Sequence, residues 1–191
     1  MLKNQQQFIE YMHKLGLLIQ GSSLSWNCGL SGQIERTELL LPVIGAFSAG
    51  KSSMLNTFIG KDVLPVGISP ETELATELRY SEEPYLLAIR HDGSEQRLAI
   101  EELTQVNKKS ADYSHLRLYL NSPALEAIVP LVLVDMPGYG SSLENHNKAL
   151  AYYLPRGVHF IVVTSVEDGT ITQAMLRQLD SIKTFESDFS F

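Results

Sequence analysis

Residues 39–60 read LLLPVIGAFSAGKSSMLNTFIG, and the order of events in this stretch decides the fold. An apolar run, Leu39 to Ile44, enters a loop bracketed by Gly45 and Gly50. A helix is predicted to leave it, with Met54, Leu55, Phe58 and Ile59 at helical spacing and Gly60 as its stop. Gly45, Gly50, Lys51 and Ser52 satisfy G-x-x-x-x-G-K-[ST]. That spacing lets successive backbone N–H groups curl around a polyphosphate at a helix N-terminus. The glycines permit backbone conformations and close approaches that a Cβ would obstruct, the Lys51 ammonium can reach terminal phosphates, and the Ser52 hydroxyl can ligate Mg²⁺. A strand before the loop and a helix after it separate this match from an accidental glycine turn.

The 191 residues, 44% apolar and 19% charged, suffice for one sizeable domain with a buried core but are tight for two. A net charge of -7 and an isoelectric point near 5.2 argue against a broad nucleic-acid footprint and against membrane binding by bulk charge. The one cysteine, Cys28, allows no internal disulfide and fits a reducing compartment. No apolar run reaches the roughly eighteen residues of a membrane span, and the N-terminus lacks a signal-peptide pattern. A cytoplasmic location is therefore expected.

Outward from the loop, Phe8, Met12, Leu15 and Ile19 fall at helical spacing, so residues 1–34 read as an amphipathic helix followed by a loop around Trp26. That helix packs either on its own domain or on a helical region absent from this chain. Residues 35–191 read as one domain. A strand is expected around Leu78 to Tyr80, and a hairpin over Tyr85 to Ile100 turning at Asp92-Gly93. A short helix follows over Ile100 to Lys108, then a strand over Leu116 to Leu120, an interruption at Pro123, and a buried strand over Ile128 to Val134. Glu144 to Leu154 reads as a helix and Val158 to Val163 as a further buried strand. Thr170 and Gln173 form a capping pair for a last helix bearing Met175, Leu176, Leu179 and Ile182. Strands alternating with helices predict an α/β fold, a mainly parallel sheet flanked by helices, with the nucleotide at the carboxyl ends of the strands.

A phosphate loop alone names no reaction, but VLVDMPGYG supplies two further parts. Asp135 ends a buried apolar strand, where nucleotide triphosphatases with this loop carry the acid that holds Mg²⁺. Gly138 offers a backbone N–H that can face a γ-phosphate with no side chain in the way. A hydroxyl completing the metal shell only in the triphosphate state belongs on a mobile segment between the motifs. Thr72, in ISPETELAT, has Pro/Gly-rich surroundings that suit such a switch, with Thr76 the competitor and Thr57 in the helix; the choice of Thr72 rests on the family spacing that the resemblance below implies.

Together these residues give a resemblance: the sequence resembles the GTPase domain of the dynamin superfamily, most closely its bacterial dynamin-like branch. The carrying segments are GAFSAGKSSMLN at 45–56, LPVGISPET at 64–72 and DMPG at 135–138. The segment from Phe160 to Leu179 is also similar, so coverage runs from about Leu39 to Lys183. The resemblance implies GTP hydrolysis with Mg²⁺, a homodimer through the nucleotide face, and coupling to membrane remodelling through regions outside this chain. Location at a membrane would then be peripheral. It assigns nucleotide contacts to Gly45, Phe47, Ser48, Ala49, Gly50, Lys51, Ser52, Ser53 and Gly138, and the metal to Ser52, Thr72 and Asp135. Ser48, Lys51 and Thr72 would be catalytic, Ser48 helping to assemble a charge-compensating group such as a monovalent cation and Thr72 positioning the attacking water.

There are departures. Phe47 stands where classical dynamins have glutamine, and Tyr139 after Gly138 leaves no Ras-like glutamine for water. No [NT]-K-x-D follows Gly138, so the reader of guanine is missing and the domain is expected to be a partial one, cut before that motif. GTP and GDP are thus implied by the resemblance rather than by a base-reading motif. A competing reading is a nucleotide-binding scaffold or switch that hydrolyses slowly or not at all.

Overall fold

The computed structural model describes residues 3–19, 38–66, 74–138, 143–153, 156, 159–165 and 176. Among these residues seven strands form one sheet in the order β4-β3-β5-β2-β6-β1-β7. They are β1 (Leu39–Gly45), β2 (Thr76–Tyr80), β3 (Tyr85–Arg90), β4 (Glu95–Leu98), β5 (Tyr113–Leu120), β6 (Leu131–Asp135) and β7 (Ile161–Val163). Among the described residues the α-helices with defined bounds are α1 (Lys3–Ile19), α2 (Lys51–Ile59), α3 (Leu103–Asn107), α4 (Pro123–Ile128) and α5 (Leu143–Tyr153).

The expected α/β architecture is present. Strand β1 runs parallel to β6 on one side and to β7 on the other, which is the portion of the sheet that carries the phosphate loop. Strand β2 is parallel to β5 but antiparallel to β6, and β3 is antiparallel to both β4 and β5. Pairing direction therefore changes at β2.

Pro42 lies inside β1, which pairs on both sides. The backbone accommodates it. Leu39 N–H donates to the Pro130 carbonyl and the Val43 carbonyl accepts from Met136 N–H, so the odd residues of β1 address β6. The missing N–H of Pro42 faces the other side, one residue before pairing with β7 begins at Val43.

Alternating side chains feed two apolar layers. Val43, Leu78, Leu116, Leu118 and Leu133 pack with Leu55 and Ile59 of α2 on one face. Ile44, Val134 and Met136 pack with Ala149 and Tyr153 of α5 on the other. Of the helical apolar quartet, Leu55 and Ile59 are buried, while Met54 and Phe58 are partly exposed. Gly60 ends α2 in the left-handed region (φ 76°), donating to the carbonyls of Asn56 and Thr57.

The Asp92-Gly93 hairpin forms as expected, with Gly93 at φ 82° and Asp92 Oδ1 accepting from Ser94 N–H at 2.8 Å. Residues 100–107 make a short helix that starts as a 3₁₀ turn. Strand β5 starts at Tyr113, three residues before the expected Leu116. One expectation is corrected: Ile128 to Pro130 is not strand. Pro123 starts a helix rather than interrupting the chain, because at the first helical position its absent N–H costs no bond. Helix α4 runs to Ile128, and β6 begins at Leu131 after a cis Val129–Pro130 peptide. Strand β7 is shorter than expected, and the capping pair Thr170/Gln173, the loop around Trp26 and Cys28 lie outside the described residues. Helix α1 forms as expected, with Phe8, Tyr11 and Leu17 partly exposed on it. Among the described residues no helix is long and apolar enough to cross a membrane.

Candidate functional site

Gly45 closes β1 against β7 so tightly that a Cβ there would lie 2.3 Å from the Val163 carbonyl oxygen. Only glycine fits this approach. The loop then turns through two left-handed residues, Ser48 (φ 60°) and Gly50 (φ 91°). For Gly50 this conformation is free of Cβ cost, whereas for Ser48 it stores strain on the order of 1 kcal/mol. Inside the turn Ala49 N–H donates to the Ala46 carbonyl at 3.2 Å, and α2 begins directly after Gly50 without a side-chain cap. The helix N-terminus, with its positive dipole end, thus opens into the loop.

Lys51 is buried, with its ammonium inside the curve of the loop, donating to the carbonyls of Ala46 (3.1 Å) and Gly45 (3.4 Å). Phe47, Ser48, Gly50, Lys51, Ser52, Ser53, Pro65 and Val66 line a hollow of about 140 Å³ over this cradle. Ala49 is buried under the loop, and Ser48 is exposed.

The second motif meets the first at two points. Ser52 Oγ donates to Asp135 Oδ2 at 2.7 Å, across 83 residues of sequence. Gly138 lies against Phe47, where a Cβ would come within 2.8 Å of Phe47 Cα and 3.2 Å of its Cβ. Gly45, Phe47, Ser48, Ala49, Gly50, Lys51, Ser52, Ser53, Asp135 and Gly138 are therefore gathered in one place. Thr72 lies outside the described residues. Its competitor Thr76 is a buried residue of β2 whose hydroxyl donates to Leu74 O, and Thr57 donates within α2 to Ser53 O. A hydroxyl beside one carboxylate is a hard oxygen donor set. It fits Mg²⁺, which keeps several waters and takes few protein ligands.

Two buried polar groups, one beside the hollow and one across the sheet, are not apparent from the sequence. Asn56 is buried in α2; its Nδ2 donates to Leu64 O at 2.8 Å, and its Oδ1 accepts from Leu64 N–H at 2.8 Å and Val63 N–H at 3.2 Å. It staples the chain immediately before Pro65 and Val66 of the hollow. The signal was available: Ser52, Leu55, Asn56 and Ile59 form an inward stripe with one amide in it.

The other is Glu77, 2% exposed on the α5 face of the sheet. Its carboxylate accepts from Tyr153 OH at 2.9 Å and Arg79 Nε at 2.9 Å, and Arg117 Nε lies 3.2 Å away without hydrogen-bond alignment. Arg79 also pairs with Glu38. Burial alone would lower the Arg79 pKa, but its bonds to Glu38 and Glu77 outweigh this and raise it. His115, 3.7 Å from Glu77, is held down to about 4 chiefly by burial, so it is neutral near pH 7. Burial first, then the Glu77 charge, pushes the Tyr153 phenol well above its ordinary value, so it stays a donor.

The profile of the Dynamin family matches residues 41–184. The chain belongs to the dynamin family. This dynamin-family chain is 38% identical over 105 residues to dynamin-like protein 2 of Campylobacter jejuni, an alignment covering 53% of the chain and 17% of that protein. It is 26% identical over 174 residues to an uncharacterized Caldicellulosiruptor protein (85% and 42% coverage). With a probable transmembrane GTPase, FZO-like, of Arabidopsis thaliana it shares 25% over 188 residues (97% and 18%). The chain thus spans less than half the length of these relatives. Solved structures of an oligomerised bacterial dynamin pair are similar at TM-scores of 0.46 and 0.47, with 24% and 23% identity, covering 77% and 78% of this chain and 24% and 29% of theirs.

Proposed function

We propose that this chain is the phosphate-binding and hydrolysing part of a GTPase, and that the full-length protein couples GTP turnover to self-association and membrane remodelling. The observation that carries this reading is the 2.7 Å bond from Ser52 to Asp135, which joins the phosphate loop to the end of β6 beside a buried Lys51. Family membership supports guanine nucleotide as the ligand, self-association through the nucleotide face, and a peripheral position at a membrane.

In this mechanism the loop N–H groups and the N-terminus of α2 hold the phosphates, and Lys51 moves from the loop carbonyls to the terminal phosphates. Ser52 and Asp135 would hold Mg²⁺, which when bound compensates charge on the β- and γ-phosphates. Ser48 helps assemble a further positive charge, with a monovalent cation as the candidate. Thr72 orients the water that attacks the γ-phosphorus as GDP leaves. Gly138 presents its N–H to the γ-phosphate, and nothing wider than glycine fits beside Phe47.

Single-turnover GTP hydrolysis by the full-length protein, with and without liposomes, tests the proposal. Lys51→Ala should lower nucleotide affinity at least about tenfold, the scale of a lost charge-assisted bond, and Asp135→Asn should lower hydrolysis and its Mg²⁺ dependence. Unchanged nucleotide affinity in Lys51→Ala refutes the site. Binding without turnover in the wild type refutes the hydrolytic part.

A further inference from the structure

Helix α5 begins five positions after Gly138, so the seat of α5 on the sheet limits where Gly138 can sit. Five residues span at most about 17 Å, and one end of this segment is already fixed, since Met136 is buried beside the Ser52–Asp135 contact. The far end is fixed by Ala149 and Tyr153, one helical turn apart, packed against Ile44, Ala75, Val134 and Met136.

Apolar attraction of this kind is non-directional and does not by itself name one register for a short helix. A buried hydrogen bond between named atoms does not. Tyr153 OH to Glu77 Oε1, at 2.9 Å with both residues almost fully buried, defines one register of α5 against β2. The acceptor is itself held, because Arg79 donates at 2.9 Å to the other oxygen of the same carboxylate, with the Arg117 guanidinium 3.2 Å from that oxygen. Tyr152 adds a ring contact to His115, with centroids 5.0 Å apart, from the same turn of the helix. Replacing such a carboxylate network by hydrocarbon is often neutral for stability, so its contribution is best sought in specifying one arrangement.

We propose that the Tyr153–Glu77 hydrogen bond is a register lock: it seats α5 on the sheet and so holds the Gly138 segment where the γ-phosphate is read. Tyr153 and Glu77 are positioning residues, acting through Gly138 and touching no substrate. The inference rests on the GTPase reading for its kinetic consequence, but its structural consequence stands separately.

Two measurements on the full-length protein test it. Tyr153→Phe removes one oxygen and keeps the ring; Tyr152→Phe removes the neighbouring hydroxyl without touching Glu77 and serves as the control. In Tyr153→Phe, kcat should fall on the order of tenfold or more, and by a larger factor than KM rises, because misplacing Gly138 costs more where charge develops on the γ-phosphate than in ground-state binding. Amide exchange of residues 143–153 should rise by a similar factor, with β1 and β2 unaffected. Tyr152→Phe should match the wild type in both. Unchanged exchange in Tyr153→Phe, faster exchange with unchanged kcat, or an equal effect of Tyr152→Phe each overturns the lock as a positioning device. A wild type that does not hydrolyse GTP refutes the GTPase reading instead, and the exchange measurement then decides the lock alone. If Tyr153→Phe is too unstable to assay, Glu77→Gln, which weakens the bond by removing its charge, should change both readouts in the same direction, and no change overturns the lock.

Discussion

Replacing Asn56 by alanine isolates one small device, the amide that ties the end of α2 to residues 63 and 64. Three bonds are lost: Nδ2 to Leu64 O at 2.8 Å, and Oδ1 from Leu64 N–H at 2.8 Å and Val63 N–H at 3.2 Å. Leu64 is 4% exposed, so its N–H and C=O cannot turn to water without opening the loop. Each orphaned buried group costs about 1–3 kcal/mol, giving roughly 2–5 kcal/mol for the pair after partial relaxation. That is a large share of the roughly 5–15 kcal/mol that holds a domain folded. Asn56→Asp sharpens the case. It keeps the acceptor for both N–H groups but sets a carboxylate oxygen against the Leu64 carbonyl. The closer isostere should therefore be no better tolerated than alanine. Urea denaturation with an unchanged slope measures the loss, and amide exchange at residues 63 and 64 shows where it arises. A cost for Asn56→Ala below about 0.5 kcal/mol, or an aspartate variant as stable as the wild type, refutes the reasoning. Because Pro65 and Val66 line the hollow directly after Leu64, weaker nucleotide binding should accompany the instability.

Other outcomes follow from the same structure. Gly45→Ala puts a Cβ 2.3 Å from a backbone oxygen that cannot rotate away, so β7 must shift, at a cost of about 1–3 kcal/mol with loss of nucleotide binding. Gly60→Ala meets no atom within 4 Å and should cost about 1 kcal/mol from its positive φ alone, without impairing binding; thermal denaturation and nucleotide titration separate the two. His115, neutral in the folded chain with a pKa near 4 and near 6.5 when unfolded, binds more protons unfolded. Stability should hold above pH 6.5 and fall by about 2 kcal/mol on going to pH 5, a slope that His115→Gln removes; an unchanged slope refutes the burial argument. This 191-residue chain, with phosphate contacts but no [NT]-K-x-D, should discriminate poorly between GTP and ATP in competition titrations. Strong guanine selectivity would show that other residues read the base.

What the sequence made legible was whatever the backbone itself dictates. The loop from Gly45 to Ser52, the stop at Gly60 and the turn at Asp92-Gly93 are written in glycine spacing, and all three stand where expected. Helix α4 is absent from the sequence expectation because Pro123 reads as an interruption, although a serine followed by proline at the first helical position is also a helix-start signal. The antiparallel face of β2 was hidden because direction of pairing is a property of topology and not of local pattern. Glu77 was unreadable for a related reason: Tyr153, its partner, lies 76 residues away, and no periodicity links them. Thr76 competes with Thr72 in the sequence, and its burial in the sheet, with its hydroxyl on the Leu74 carbonyl, speaks against it as the mobile hydroxyl.

The change of strand direction at β2 also bears on the order in which this chain acquires its structure. Strands β3 and β4 pair through a tight hairpin, whereas β1 meets β6, and Ser52 meets Asp135, only after some eighty residues or more have been brought back. Long closures are slow because chain entropy is lost before contacts repay it. The half-sheet β2–β5 is thus expected to gather first and the phosphate cradle last, so that nucleotide competence marks the final step of folding. Pulse-labelled exchange showing β1 and β6 protected before β3 and β4 would contradict that order.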